Sequence, residues 1–426
     1  MPETNDQQLM SETDAIFQPR TSGGIVKPSD CCILFATADW DTPYWTNKQH
    51  TAAELAKKGW QVLYVESVGL RAPQLGSGLD LGRLARRLWR GLKGVRKVQD
   101  NVWVLSPLVL PLLHSHRWVR AFNQGLLAWM VRRFMRVQGS RRPLIWTYHP
   151  YVLELLQRLN AHADSRNGSL VYHCVDDLAA IPGVDATAFR AEERRLLEQA
   201  DMVFTTSAAL RDQCSPYNAR VHFHPNVVDV DHFTQAHRSG PLPADLQTIA
   251  EPRLAYIGAL SDFKIDFQLL IEVAQARPEW NLVLIGEERE GQHSTLLQQL
   301  GSLPNVHLLG YKTYAQLPDY LRGLNVGLLP TLVNDYTRGM FPMKYFEYLA
   351  AGLPVVSTPL AFTREPDLEM RIAVTSEAFV EAIEAQLQRG KWSEQQSRAL
   401  VGNNTWGFRI DRMLAELQRL ALPTQP

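Results

Sequence analysis

Short apolar runs alternate with amphipathic stretches along most of the chain. The runs read "CILFATA", "QVLYVES", "LIWTYHP", "LVYHCVD", "MVFTTS", "VHFHPNVV", "RLAYIGAL", "NLVLIGE", "VHLLGY", "VGLLPT" and "LPVVST". Each is short, rich in Val, Ile and Leu, and followed by a segment with helical spacing. That alternation predicts parallel strands covered by helices on both faces, an α/β class protein. The periodicity lapses between Asp231 and Pro252, where Gly and Pro cluster, so two doubly wound, Rossmann-like units are expected. The expected division is a disordered tail over 1–29, a first domain over 30–235, a linker over 236–251 and a second domain over 252–405. A final helix over 406–426 can return to the first domain. In "FPMKYFEYLAAGLPVVST" a helix ends at Gly352, Pro354 bars its continuation, and Val355–Ser357 reads as the next strand.

Composition narrows the picture without naming a chemistry. The 426 residues suit two domains, and 44 Lys plus Arg balance 44 Asp plus Glu, so no overall charge points to nucleic acid. The cysteines Cys31, Cys32, Cys174 and Cys214 have no metal-ligand spacing and suit reduced thiols in a cytoplasmic protein. The tail lacks the apolar core of a signal peptide, and no apolar stretch reaches the ~18 to 20 residues of a spanning helix. Residues 83–142 depart from the balance, with fourteen Lys or Arg against the single acid Asp100. Within them Leu81, Leu84, Leu88, Leu92 and Val95 fall on one helical stripe. Such a pattern fits a helix on an anionic membrane surface at the inner face of the plasma membrane. The alternative is a solvated basic face over an ordinary core stripe.

Candidate binding residues collect at predicted strand ends. "YIGALSDFK" is a strand ending at Gly258, a loop, then Lys264 before a helix; such a turn suits diphosphate oxygens, or is simply a surface turn. A second strand ends at Gly286, and Tyr311 follows a third, at the edge where open sheets bind ligands. Lys344 and Glu347, three apart on a helix, share one face.

The ordered set "YIGALSDFK", "LVLIGE", "VHLLGY", "LPDYLRGLNVGLLP" and "MKYFEYLAAGLPVVST", extended backwards through "ADMVFTTSAALRD" and "HPNVVDVDHF", resembles the GT-B nucleotide-sugar glycosyltransferases, particularly those of bacterial exopolysaccharide synthesis. The resemblance covers most of the chain after about residue 30. It implies two domains facing a cleft, a nucleotide diphosphate sugar held by the second, and a saccharide or lipid-linked acceptor on the first. It places Lys264 on the diphosphate, Glu347 on the ribose hydroxyls, and Gly258, Gly286, Tyr311, Arg338, Met343 and Lys344 around the donor. No metal or other cofactor is implied. The chain departs from the pattern at Ala259, where many retaining members have Arg, and at Gly339, where they have a glutamate. Lys344 can stand in for the missing arginine, with Arg338 as a helper. A scaffold subunit without turnover and a nucleotide-sugar epimerase are the rival expectations.

On the first domain, the loop with Asp39, Trp40, Asp41, Tyr44 and Trp45 offers rings for sugar faces and carboxylates for hydroxyls, or packs locally. His50 is expected to start the helix that follows. His149, His173, Asp176 and Asp177 stand at two further strand ends, where one of them can serve as general base or Asp can cap a helix. Glu192 and Glu193 read as solvated partners of nearby arginines. Asn226 is assigned to shaping the interdomain hinge.

Overall fold

The computed structural model describes residues 31–42, 44–66, 94–107, 117–140, 142–160, 169–288 and 294–421. The expected tail and the leucines at 81, 84, 88 and 92 lie outside the described residues. The apolar runs form two sheets. The first holds Cys31–Phe35 (β1), Gln61–Val65 (β2), Val95–Gln99 (β3), Val102–Leu105 (β4), Leu144–Thr147 (β5), Leu170–Cys174 (β6), Met202–Thr205 (β7) and Val221–Phe223 (β8). Their order is β3-β4-β2-β1-β5-β6-β7-β8, parallel except for the β3–β4 pair. The second holds Arg253–Ile257 (β9), Asn281–Ile285 (β10), Val306–Gly310 (β11), Val326–Leu329 (β12), Val355–Ser357 (β13) and Arg371–Ile372 (β14). It runs β11-β10-β9-β12-β13-β14, all parallel. Both sheets reverse their winding beside their first strand, between β1 and β5 and between β9 and β12, which opens a crevice at the strands' carboxyl ends.

Three strands were not apparent as apolar runs. Val95, read above as part of a helical stripe, begins β3, an edge strand in which Val95 and Lys97 are exposed and Arg96 is part-covered. β3 turns into β4 through Asp100 and Asn101, the latter at φ 59°, a conformation Asn tolerates better than most residues. The two-residue β14 is exposed and carries too few apolar residues to show a period.

The chain crosses from the first sheet to the second after β8. Helix Val230–Phe233 and the turns that follow already pack on the second domain, with Phe233, Ala236 and Leu246 in its core. It crosses back near Thr405, which bridges Val228 of the outgoing segment. Helix Trp406–Ala421 then lies on the first domain, burying Ile410, Met413 and Leu417 against strands β1, β2 and β5 through Cys32, Tyr64 and Trp146. Lys58 pairs with Asp411 at 2.6 Å along the same seam.

Met413 is completely buried, so Met413→Ala should destabilise the protein by about 2 to 5 kcal/mol. Urea unfolding measures this; an unchanged midpoint would mean the final helix is not docked.

Candidate functional site

The crevice is lined by loops that leave the carboxyl ends of β1, β5, β6, β9 and β12. In the second domain, Gly258 follows β9 with φ 158° and Gly286 follows β10 with φ 151°. A Cβ on Gly286 would lie 1.8 Å from the Gly258 carbonyl oxygen, so the two loops can cross only without side chains there. Lys264 sits beyond Gly258 with its Nζ 5.0 Å and 5.1 Å from the Phe263 and Tyr336 ring centres. Helix Met343–Ala350 carries the part-exposed Met343 at its start and Lys344 and Glu347 on one face. Lys344 Nζ donates to Glu347 Oε2, and Glu347 is only 5% exposed. Gly352, at φ 81°, ends the helix ahead of β13. Arg338 is largely exposed and pairs with Asp335 at 3.1 Å.

In the first domain the structure separates the candidates. His149 follows β5 and is pinned by Thr147, whose hydroxyl donates to the His149 carbonyl at 2.8 Å and accepts its N–H at 3.2 Å. The ring is 6% exposed and Nδ1 has no hydrogen-bond partner. Burial lowers its pKa to about 4, so the imidazole is neutral at pH 7 and its nitrogen can accept a proton. Asp177 follows β6, 7% exposed; Oδ2 accepts from Arg190 at 2.5 Å and Oδ1 is unpartnered. It occupies the N-cap position of the short turn Leu178–Ala180, but its side chain makes no cap bond. Asp176 is part-buried beside it. Asp177, Arg190, Leu210, Arg338 and Gly339 share one interdomain cavity of about 550 Å³.

Four expectations are corrected. His173 is completely buried inside the sheet, and Arg409 donates to its Nε2 at 2.9 Å, so its lone pair is taken and it is no base. Trp40 belongs to the core, packed on Trp45 and Tyr64 at 5.1 Å each, and presents no sugar platform. Asp41 pairs with Arg96 at 2.6 Å on the outer surface. Glu193 is buried, accepting from Arg190 at 2.9 Å and from the Tyr172 hydroxyl at 2.7 Å, whereas Glu192 pairs with Arg195 at the surface.

Asp39 remains part-exposed, its carbonyl accepting from Gln49 at 3.0 Å. Trp45 packs edge-on against His50, which is the fourth residue of helix Asn47–Lys57 and stacks on Trp406 at 4.4 Å. Tyr44 meets Tyr311 edge-to-face at 5.0 Å across the crevice. Asn226 accepts from Asn47 at 3.0 Å and donates to the Phe341 carbonyl at 2.5 Å. At Gly339, the Ser207 hydroxyl donates to its carbonyl at 2.9 Å. A Cβ there would come within 3.1 Å of Leu210 and 3.7 Å of Asp177; helix Ala208–Cys214 of the first domain crowds the place of the expected glutamate. Sequence reading missed Lys48, buried on helix Asn47–Lys57, and Arg190, whose ion pair joins residues 13 apart. Neither lies in a distinctive motif.

The histidine shifts fix a pH dependence. His149 at about 4 and His50 at about 3 are both lowered by burial, against about 6.5 unfolded. Between these values the unfolded chain binds more protons, so stability is full above about pH 6.5 and falls as pH drops toward 4 and 3. Thermal midpoints should be flat above neutrality and decline below it, and His149→Gln should make the decline shallower; a slope unchanged by that substitution would contradict the burial of the ring.

Residues 251–389 match the family model described as glycosyl transferases group 1. The putative teichuronic acid biosynthesis glycosyltransferase TuaH of Bacillus subtilis (strain 168) is 30% identical over 178 residues, 41% of this chain and 44% of that protein. The match thus spans less than half the length of that relative. Among solved structures, a sucrose-phosphate synthase from Thermosynechococcus elongatus superposes with a TM-score of 0.66 at 16% identity, covering 92% of this chain and 99% of its own. HepE from Anabaena in complex with UDP and glucose gives 0.61 at 17% identity, covering 90% and 98%. HepE in complex with UDP-glucose gives 0.62 at 15%, covering 92% and 100%. The chain therefore has the two-domain GT-B fold, and within it residues 251–389 are similar to the group 1 glycosyl transferases.

Proposed function

We propose that this protein transfers a glycosyl group from a nucleotide diphosphate sugar to a saccharide or lipid-linked acceptor in exopolysaccharide or cell-surface glycan synthesis. The observation that carries the reading is the pairing of buried Glu347 with part-exposed Lys344 on helix Met343–Ala350, in the domain matched to group 1 glycosyltransferases. A buried carboxylate whose only ion-pair partner among the described residues is a lysine has lone pairs left for two vicinal hydroxyls. Glu347 then accepts from the ribose, while Lys264 and Lys344 meet the diphosphate. Gly258 and Gly286 let the backbone approach, and Tyr311, Arg338 and Met343 border the donor. Lysines supply the positive charge, so the reading invokes no metal ion. The HepE complexes, which hold UDP, glucose or UDP-glucose, favour a nucleotide-sugar donor in this fold, and the TuaH likeness favours a cell-wall polymer as product.

The acceptor enters from the first domain, bordered by Asp39, Tyr44 and Trp45. Its hydroxyl attacks the anomeric carbon as the bond to the leaving nucleoside diphosphate breaks. The proton goes to His149 Nδ1 or to an oxygen of Asp177 or Asp176; His149 and Asp177 each have a buried atom without a partner.

The basic segment supports contact with an anionic bilayer. Helix Arg117–Val137 exposes Phe122, Trp129, Arg133 and Arg136, whose spacing of seven, four and three puts them on one face. Rings beside arginines suit the headgroup region. No described helix is long and apolar enough to cross a membrane.

Glu347→Ala should weaken nucleotide-sugar binding by about 1.5 to 3 kcal/mol with the fold intact; unchanged affinity in titration calorimetry removes Glu347 from the site. His149→Ala, Asp176→Asn and Asp177→Asn are expected to divide: the variant lacking the base loses turnover by about 100-fold or more. Near-normal turnover in all three leaves a retaining reaction assisted by the donor phosphate. Product formed without acceptor would indicate an epimerase, and nucleotide binding without transfer to any acceptor a scaffold. Vesicles containing phosphatidylglycerol should sediment the protein at low salt and release it at high salt, and Trp129→Ser should weaken that capture; protein left in the supernatant rejects the membrane contact.

A further inference from the structure

Helix Asn47–Lys57 begins at the crevice, and its second residue is a lysine. Lys48 is 8% exposed, yet among the described residues its ammonium makes no hydrogen bond or ion pair. Its Nζ lies 5.6 Å from the centre of the Tyr148 ring. Burying an unpaired ammonium is unfavourable, and long lysine stems normally carry the charge out to water. Burial lowers its pKa, Asp176 opposes that from beyond ion-pair distance, and Lys264 of the second domain adds to it. The start of this helix meets the second domain, where the His50 ring lies 6.0 Å from that of Tyr314. Lys264 of the second domain likewise has no carboxylate at ion-pair distance among the described residues, and it rests on aromatic faces. Residue 259, the first after the glycine of the Lys264 loop, is alanine, which leaves that loop one cation of its own at this point.

Among the described residues neither lysine has a counter-ion, and a ligand with two negative charges can supply one to both. We propose that Lys48 of the first domain and Lys264 of the second clamp the diphosphate of the nucleotide sugar from opposite sides, so that the phosphate site is complete only when both domains contribute. This rests on the donor reading above and adds to it a residue from the acceptor domain. Domain closure and diphosphate recognition become one event: the anion that draws the lysines together also brings the acceptor wall to the donor.

The test is titration calorimetry of the full chain with UDP, GDP and ADP and with the corresponding monophosphates. For whichever base binds, Lys48→Met should reduce diphosphate affinity on the order of tenfold while changing monophosphate affinity less than about twofold, and Lys48→Arg should restore most of the loss. Without nucleotide, Lys48→Met should melt no lower than the unsubstituted protein, because among the described residues it removes no hydrogen bond or ion pair. Unchanged diphosphate affinity in Lys48→Met, together with a loss in Lys264→Met, overturns the clamp and leaves the donor site standing. Melting several degrees lower, with monophosphate and diphosphate weakened alike, makes Lys48 structural and also overturns it. If none of these nucleotides binds the unsubstituted protein, the donor reading itself fails and the clamp with it.

Discussion

A buried guanidinium anchors a chain of polar contacts that links the two domains. Arg409, 3% exposed on the final helix, donates to Asn47 Oδ1 at 2.6 Å and to His173 Nε2 at 2.9 Å. Asn47 passes the connection to Asn226, and Asn226 to the Phe341 carbonyl just before helix Met343–Ala350. One polar chain therefore runs from the end of the polypeptide, through the first domain and the crossing segment, to the helix that carries Lys344 and Glu347. Burial lowers the Arg409 pKa to about 10, which leaves it charged at neutral pH. A planar, weakly hydrated guanidinium tolerates this better than an ammonium would. Its fixed fork also sets the direction of both bonds.

The crevice that results is chemically asymmetric. The second domain contributes a satisfied ion pair and loops of glycine, features that bind. The first contributes His149 and Asp177, each with a buried polar atom left open, features that can take a proton or a hydroxyl. Asp177 is not loose, because Arg190 bonds it and Glu193 together, and Tyr172 bonds Glu193 in turn. A carboxylate held in this way has one oxygen engaged and one left without a partner. His149 is neutral for a different reason, desolvation without a charged partner.

The departure at Gly339 also has a physical cause. Leu210 and Asp177 of the first domain lie close to where its side chain would project, and Ser207 bonds its carbonyl. A glutamate there would meet an aliphatic side chain and a neighbouring carboxylate across the interface. The carboxylate near that point is instead Asp177, supplied by the opposite domain.

Fold class was legible in the sequence because buried parallel strands are continuous apolar runs, and eleven such runs punctuated by helical spacing leave few alternatives. The Lys344–Glu347 pair was legible too, since residues three apart on a helix share a face wherever the helix lies. Strand β3 was not, because an edge strand carrying adjacent Arg96 and Lys97 has the composition of a basic helix, and only pairing with β2 through β4 decides between them. The fates of His149 and His173 were likewise closed to sequence: one follows an aromatic, apolar strand and the other lies within one, yet the first ends with an open nitrogen and the second under Arg409, 236 residues away. Lys48 and Arg190 drew no notice because a lone cation on a helix is ordinary until burial removes its water. Local periodicity is written in neighbouring residues, so the sequence by itself determined the strands, the helices and the glycine turns. Burial and long-range partners exist only after the chain has crossed between domains and returned, so the tertiary structure alone decided which charges face the crevice.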